Sequence, residues 1–270
     1  MESKLNELFE AMWHKYDQTC FDAHRIHKLL TERGEEIEND HIAIRTFNTE
    51  CMNIEVIANI FKEYGYEEKG QYYFEEKKLN AKHYELEGYP KIFISELILE
   101  EFSQELQDIV HRKITGIEVD RLNFLYNGVP LSYETLHIGE YNRVKEESEY
   151  ASWLLVWGHM ANHFTINVNA LKTFDGLEDL NLFLKENGFK LNDSGGEIKG
   201  SKEVMLEQSS TMASEVKTTL WTDGINTRES IVIPGAYYEF AKRYKNDNGD
   251  LFQGFVTKSA DKIFESTDKK

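Results

Sequence analysis

The chain has 270 residues and carries 48 acidic against 31 Lys and Arg side chains, a formal charge of −17 at pH 7, with 40% hydrophobic and 13% aromatic residues. This composition is globular rather than disordered, and the length suffices for a large core in one domain or a duplicated pair. Basic clusters are absent, which excludes a nucleic-acid surface, and a small anionic substrate would need local cations to overcome the overall charge.

Cys20 and Cys51 are too few for a disulfide framework and suit a reducing compartment. The most apolar stretch, around Trp153 to Trp157, is far too short to span a bilayer. A cytoplasmic protein with no membrane partner is the expectation. Residues 1–38 read as helical, with Leu5, Leu8, Phe9, Met12 and Trp13 at helical spacing and a break at Arg33-Gly34. Asp40 to Asn48 (DHIAIRTFN) alternates at period two and predicts a strand. A helix from about Asn53 to Tyr64 stops at Gly65. Short strands follow near Gln71–Phe74 and Lys82–Leu86, then Lys91–Leu97 (KIFISEL). Residues 99–160 read as mostly helical around a polar loop at Asn127-Gly128-Val129-Pro130. Then the earlier order returns: a strand at Asn162–Leu171, a helix ending at Gly188, a strand in VMLEQSS, and IPGAYYEFAKR from Ile233 to Arg243.

This weak internal repeat predicts a single compact α+β domain. Module 1 covers about 40–98, a helical insert about 99–160, module 2 about 162–245, and a C-terminal tail 246–270. Two βαβββ modules in tandem build a cupped sheet able to hold a metal, the vicinal oxygen chelate architecture. The competing account is that β-α-β order is common and the similarity is chance.

Alternation puts His41, Ala43, Arg45 and Phe47 on one strand face, and His163, Thr165 and Asn167 on the polar face of the repeat-related strand. In AYYEF, Glu239 lies opposite Tyr238 and Phe240. Two imidazoles and one carboxylate with other positions open suit Fe(II) that binds a chelating substrate and O2, although zinc accepts the same ligands. Glu96 is taken as the module 1 counterpart of Glu239, a fourth ligand, a supporting group or a plain surface residue. His159 and His163 are spaced like a helical zinc pair, but Met160 occupies the position that motif needs for its Glu. Arg45 lies about 13 Å along the strand from His41. It can clamp the far carboxylate of a chelated dicarboxylic acid or form a structural salt bridge.

These residues resemble the 2-oxoadipate dioxygenase/decarboxylases, also called hydroxyglutarate synthases. The resemblance lies in D-H-I-A-x-R-T-F at Asp40–Phe47, N-H-F-T at Asn162–Thr165 and Y-Y-E-F-A-x-R at Tyr237–Arg243. Q-S-S-T at Gln208–Thr211 and the Gly254–Ser266 tail add to it. The resemblance implies His41, His163 and Glu239 as iron ligands, Arg45 as a substrate clamp, and the Lys258-Ser259 pair beside the substrate. Position 258 departs from the family, being Lys where an apolar residue is expected. The implied reaction turns 2-oxoadipate and O2 into 2-hydroxyglutarate, a step of lysine catabolism, with Fe(II) as cofactor and Zn, Ni or Mn possible in purified protein. The alternatives are a glyoxalase-type metal-dependent lyase or isomerase, which needs no O2, and a non-catalytic small-ligand-binding protein.

Overall fold

The computed structural model describes residues 2–115, 135–224 and 227–267. The loop expected around Asn127–Pro130, and with it part of the helical insert, lies outside them. The chain opens with α1 (Glu2–Asp17) and α2 (Phe21–Glu32). It continues through β1 (Asn39–Phe47), α3 (Ile54–Lys62), β2 (Glu67–Phe74), β3 (Leu79–Glu85) and β4 (Lys91–Leu97). A 3-10 turn at Leu99–Glu101 leads into α4 (Gln104–Ile114), α5 (Ile138–Glu147) and α6 (Glu149–Trp157). Then come β5 (Ala161–Asn167), α7 (Leu177–Glu186), β6 (Lys199–Ser201), β7 (Leu206–Ser210), β8 (Glu215–Trp221), β9 (Arg228–Pro234) and β10 (Tyr237–Arg243), and the chain closes with α8 (Thr257–Phe264). Among the described residues no helix is long and apolar enough to cross a membrane.

One eight-stranded sheet runs β2-β3-β4-β1-β5-β10-β7-β6. Its centre is the antiparallel pair β1–β5, with β4 parallel to β1 on one side and β10 parallel to β5 on the other. Each half is thus a βαβββ unit, and a pseudo-twofold axis passes between β1 and β5. This is the α+β vicinal oxygen chelate fold expected from the repeat. The hairpin β8–β9 is a separate two-stranded sheet inserted between β7 and β10, and the periodicity did not predict it. It packs on one face only, with Glu215, Lys217 and Thr219 outward.

Central strands are buried on both faces, as the near-continuous burial of β1 and β10 shows. Trp13 and Tyr16 of α1 pack on Phe164 and Tyr238 across the convex face. Asn53 caps α3 by accepting from the Val56 amide at 3.1 Å, satisfying one of the free donors of its first turn. Glu96 accepts from the Ile54 amide at 3.0 Å and so serves the same helix end. The concave face receives α6 and the C-terminal segment with α8. There Trp153 and Tyr150 of α6 flank Arg45, and Phe264 of α8 lies within 5.9 Å of its guanidinium carbon.

Candidate metal centre

The β1–β5 register pairs Ala43 with His163 and His41 with Thr165. The pseudo-twofold therefore exchanges His41 with His163 and brings both rings to one place on the concave face, 5.5 Å apart between centroids. On β10, Glu239 stands opposite Thr165, two residues beyond the partner of His163. Its carboxylate lies 3.5 Å from His41 Nε2 and 3.2 Å from His163 Nε2. One ligand atom from each of the three buried residues falls within 4.8 Å of the others.

Each imidazole is held from behind. His41 Nδ1 donates to Asp40 Oδ1 at 2.8 Å and His163 Nδ1 donates to Asn162 Oδ1 at 3.1 Å. These contacts put the proton on Nδ1 and aim the Nε2 lone pair into the site, the arrangement a metal-ligating histidine needs. Asp40 is itself gripped by Arg243, through Nε at 2.6 Å and a second guanidinium nitrogen at 2.9 Å. Burial alone would raise the Asp40 carboxyl, but Arg243 and the hydrogen bonds hold it well below the usual carboxylate range. Burial lowers His41 despite that carboxylate, and burial, reinforced by the neighbouring His41 ring and the Arg45 guanidinium, pushes His163 well down.

Burial pushes Glu239 the other way, up to about 8, although Gln208 Nε2 donates to its Oε1 at 2.5 Å. Its Oε2 is buried with no hydrogen-bond partner. A buried carboxylate lacking a cation, facing two neutral imidazole lone pairs, is a donor set that fits a divalent metal.

Register corrects the reading of Glu96. The β4 residue opposite Ala43 is Phe93, just as the β10 residue opposite Thr165 is Glu239. Phe93, not Glu96, is the twofold mate of Glu239. Glu96 pairs with Thr46 in register and turns to the α3 side, away from the metal face.

The remaining expected residues are scattered. Arg45 is buried and stacked between Tyr150 and Trp153. It donates to Glu149 Oε1 at 3.2 Å and to Thr267 Oγ1 at 3.1 Å, while its Nε has no partner. Lys258 is exposed, and Ser259 is buried with its Oγ facing Gly200. His159 sits in the core with Nε2 2.9 Å from Thr46 Oγ1, apart from the cluster. Asp40, Asn162, Arg243, Gln208, Phe93 and Phe255 had been given no role. The signal for the first two was present, since each immediately precedes a repeat-related His.

Over the cluster, Phe93, Phe255, Ala260, Ile263 and Phe264 enclose a cavity of about 20 Å³, room for one water. Phe255 packs edge-on against His41 at 4.9 Å and is tied down by its amide donating to Tyr72 Oη at 3.2 Å. Tyr72 in turn contacts the buried His83 at 2.9 Å.

Fold and site together define the class: a vicinal oxygen chelate protein with a candidate metal centre of two imidazoles and one carboxylate. The sequence model for 2-oxoadipate dioxygenase/decarboxylase matches residues 3–123 and 129–250. A rice 2-oxoadipate dioxygenase/decarboxylase, chloroplastic/amyloplastic, is 36% identical over 260 residues, covering 87% of this chain and 70% of its own. The rice hydroxyglutarate synthase solved in complex with 2-oxoadipate superposes with a TM-score of 0.89 at 32% identity, over 98% of this chain and 92% of that one. A putative hydrolase from Shewanella frigidimarina NCIMB 400 superposes with a TM-score of 0.84 at 45% identity, over 93% of this chain and 97% of that one. The chain belongs to the 2-oxoadipate dioxygenase/decarboxylase family.

Proposed function

We propose that the protein is an Fe(II)-dependent dioxygenase that converts 2-oxoadipate and O2 into 2-hydroxyglutarate and CO2, a balance in which both oxygen atoms enter the products. The observation that carries the reading is the three-ligand cluster with Phe93 on the side where symmetry would put a fourth ligand. Family membership supports the substrate class. Bound there by His41, His163 and Glu239, the iron would supply the redox chemistry and the site at which the oxo acid chelates.

The chain's own residues do the rest. Asp40 and Asn162 fix the two rings, and Arg243 fixes Asp40. Gln208 holds one Glu239 oxygen, so the other faces the cation. Arg45 has its charge matched by Glu149 and keeps one donor, Nε, for a substrate oxygen. Phe93, Phe255 and Phe264 exclude water from the reacting end. Because the enclosed space holds about one water, the segment bearing Phe255 and α8 must shift to admit the acid.

The test is oxygen uptake by Fe(II)-loaded protein across a panel of 2-oxo acids, with 2-hydroxyglutarate and CO2 quantified. Uptake stoichiometric with 2-oxoadipate loss is expected. Turnover that persists without O2 would instead support the glyoxalase-type reading.

A further inference from the structure

On the convex face of the sheet, α1 and the turn between β3 and β4 wall a cleft of about 440 Å³. Small-molecule sites span roughly 300–1,000 Å³. The strand register makes its floor. Phe164 on β5 pairs with Ile42 on β1 and with Tyr238 on β10, so the three form one row across the sheet. Ile42 follows His41, Phe164 follows His163 and Tyr238 precedes Glu239. Alternation along each strand therefore turns the row away from the three candidate metal ligands. None of those ligands lines the cleft, which lies a full sheet thickness behind the metal centre.

The walls are aromatic. Asn6, Phe9, Glu10 and Trp13 recur at helical spacing and present one face of α1 to the cleft. Trp13 meets Phe164 edge-on at 5.1 Å and Tyr238 at 5.8 Å, and Phe9 stands 6.2 Å from Tyr89 across the opening. Phe9, Trp13 and Tyr89 are only partly buried and so leave ring surface for a ligand.

The polar groups select the charge of that ligand. Two lining residues carry a buried oxygen with no hydrogen-bond partner, Asn39 Oδ1 and Tyr238 Oη. The Asn39 oxygen is an acceptor and calls for an N–H or O–H donor. Glu10 stands at the exposed rim, with no ion-pair partner for its carboxylate among the described residues. No Lys or Arg lines the cleft. His27 packs on Trp13 at 5.7 Å, and burial lowers its pKa, which favours the uncharged ring. Aromatic faces and an unmatched carboxylate attract a cation. A carboxylate ligand would find no cationic side chain here.

We propose that this cleft is a second small-molecule site, which takes an arylalkyl ammonium ion with its ring against Trp13 and Tyr89 and its charge towards Glu10. The site depends neither on the metal nor on the reaction proposed above.

Tryptamine serves as the probe, with indole-3-ethanol as its neutral counterpart and indole-3-propionate as its anionic one, all of similar shape. Binding is measured calorimetrically at pH 7.5, with metal and after chelation. Tryptamine should bind with a Kd below about 1 mM, the alcohol about 3–5-fold more weakly and the carboxylate at least about 10-fold more weakly. Glu10→Gln changes an exposed side chain and should weaken tryptamine about 3–5-fold while leaving the alcohol unchanged. Glu10→Lys should remove the preference for the ammonium. Absent binding, equal affinity for the three probes or indifference to Glu10→Gln would overturn the assignment. Tryptamine affinity that disappears on chelation would place the probe at the metal and overturn it too. So would a dimer, seen by sedimentation as protein concentration rises, that displaces tryptamine, because the cleft would then belong to a second copy of the chain.

Discussion

Replacing Glu239 with Gln should destroy metal binding and yet make the metal-free protein more stable. Burial lifts this carboxyl from 4.5 to about 8. At pH 7.5 the metal-free native state must therefore hold a proton that the unfolded chain releases. At 1.36 kcal/mol per pKa unit that costs about 4 kcal/mol. Glutamine escapes the cost. Its carbonyl can keep the Gln208 hydrogen bond, and its amide can donate to His163 Nε2, which lies 3.2 Å from Glu239 Oε2. Even half of that energy raises Tm by about 4–8 °C in a chain of this size. The sign is specific. Between pH 6.5 and 8 the native wild type holds on Glu239 a proton that the unfolded chain releases and the Gln variant never binds, so the variant's stability advantage without metal should grow by about 2 kcal/mol as pH rises. The histidines whose pKa burial lowers act in the opposite direction around and below pH 7, but they are common to both proteins and cancel in the difference. The assay is denaturant unfolding of chelator-treated wild type and Glu239→Gln across this window, repeated with metal, which should stabilise only wild type. A metal-free Gln variant no more stable than wild type at pH 7.5, or a stability difference that does not change with pH, would refute the reasoning.

His163→Ala should abolish metal retention, whereas His159→Ala should lower stability and leave metal content intact, checked by elemental analysis of both. Asp40→Asn keeps an acceptor for His41 but leaves Arg243 without its charge partner, so metal affinity should fall about 10–100-fold in a competition titration against a chelator. Arg45→Lys loses the planar fork and the stack between Tyr150 and Trp153. It should lower kcat/KM for 2-oxoadipate and 2-oxohexanoate alike, because Glu149 already matches the charge. A loss confined to the dicarboxylate would make Arg45 the clamp of the far carboxylate.

The halves of the sheet were legible because β1 and β5 each carry a His on an alternating face, and each leads to a helix closed by Gly65 or Gly188. The Glu96 reading failed because it matched the two Glu residues by their place near a strand end. Pairing is set by which β4 residue faces β1, and that depends on register, which a sequence does not display. The burial of Lys199 was illegible for a different reason. In GGEIKGS it looks like a solvated loop lysine, and only β6 pairing with β7 under the C-terminal segment buries it. Arg45 was legible as an unusual side chain for a core. Its partner Glu149 is 104 residues away, and nothing local selects it among 48 acids.

The metal chemistry follows from where the duplication stops being symmetric. Twofold mates agree in the two histidines and in the acceptors behind them, Asp40 and Asn162. They disagree at Phe93 and Glu239, where one module presents a ring and the other a carboxylate. A symmetric site would surround the cation with four protein donors. The ring at position 93 cannot ligate, and it packs instead on Phe255 with centroids 4.8 Å apart. Three protein donors leave three positions on a six-coordinate cation. On the function proposed above, a 2-oxo acid held through its carboxylate and oxo oxygen would take two of these and dioxygen the third. A carboxylate at position 93 would leave only two, enough for the acid but not for dioxygen beside it.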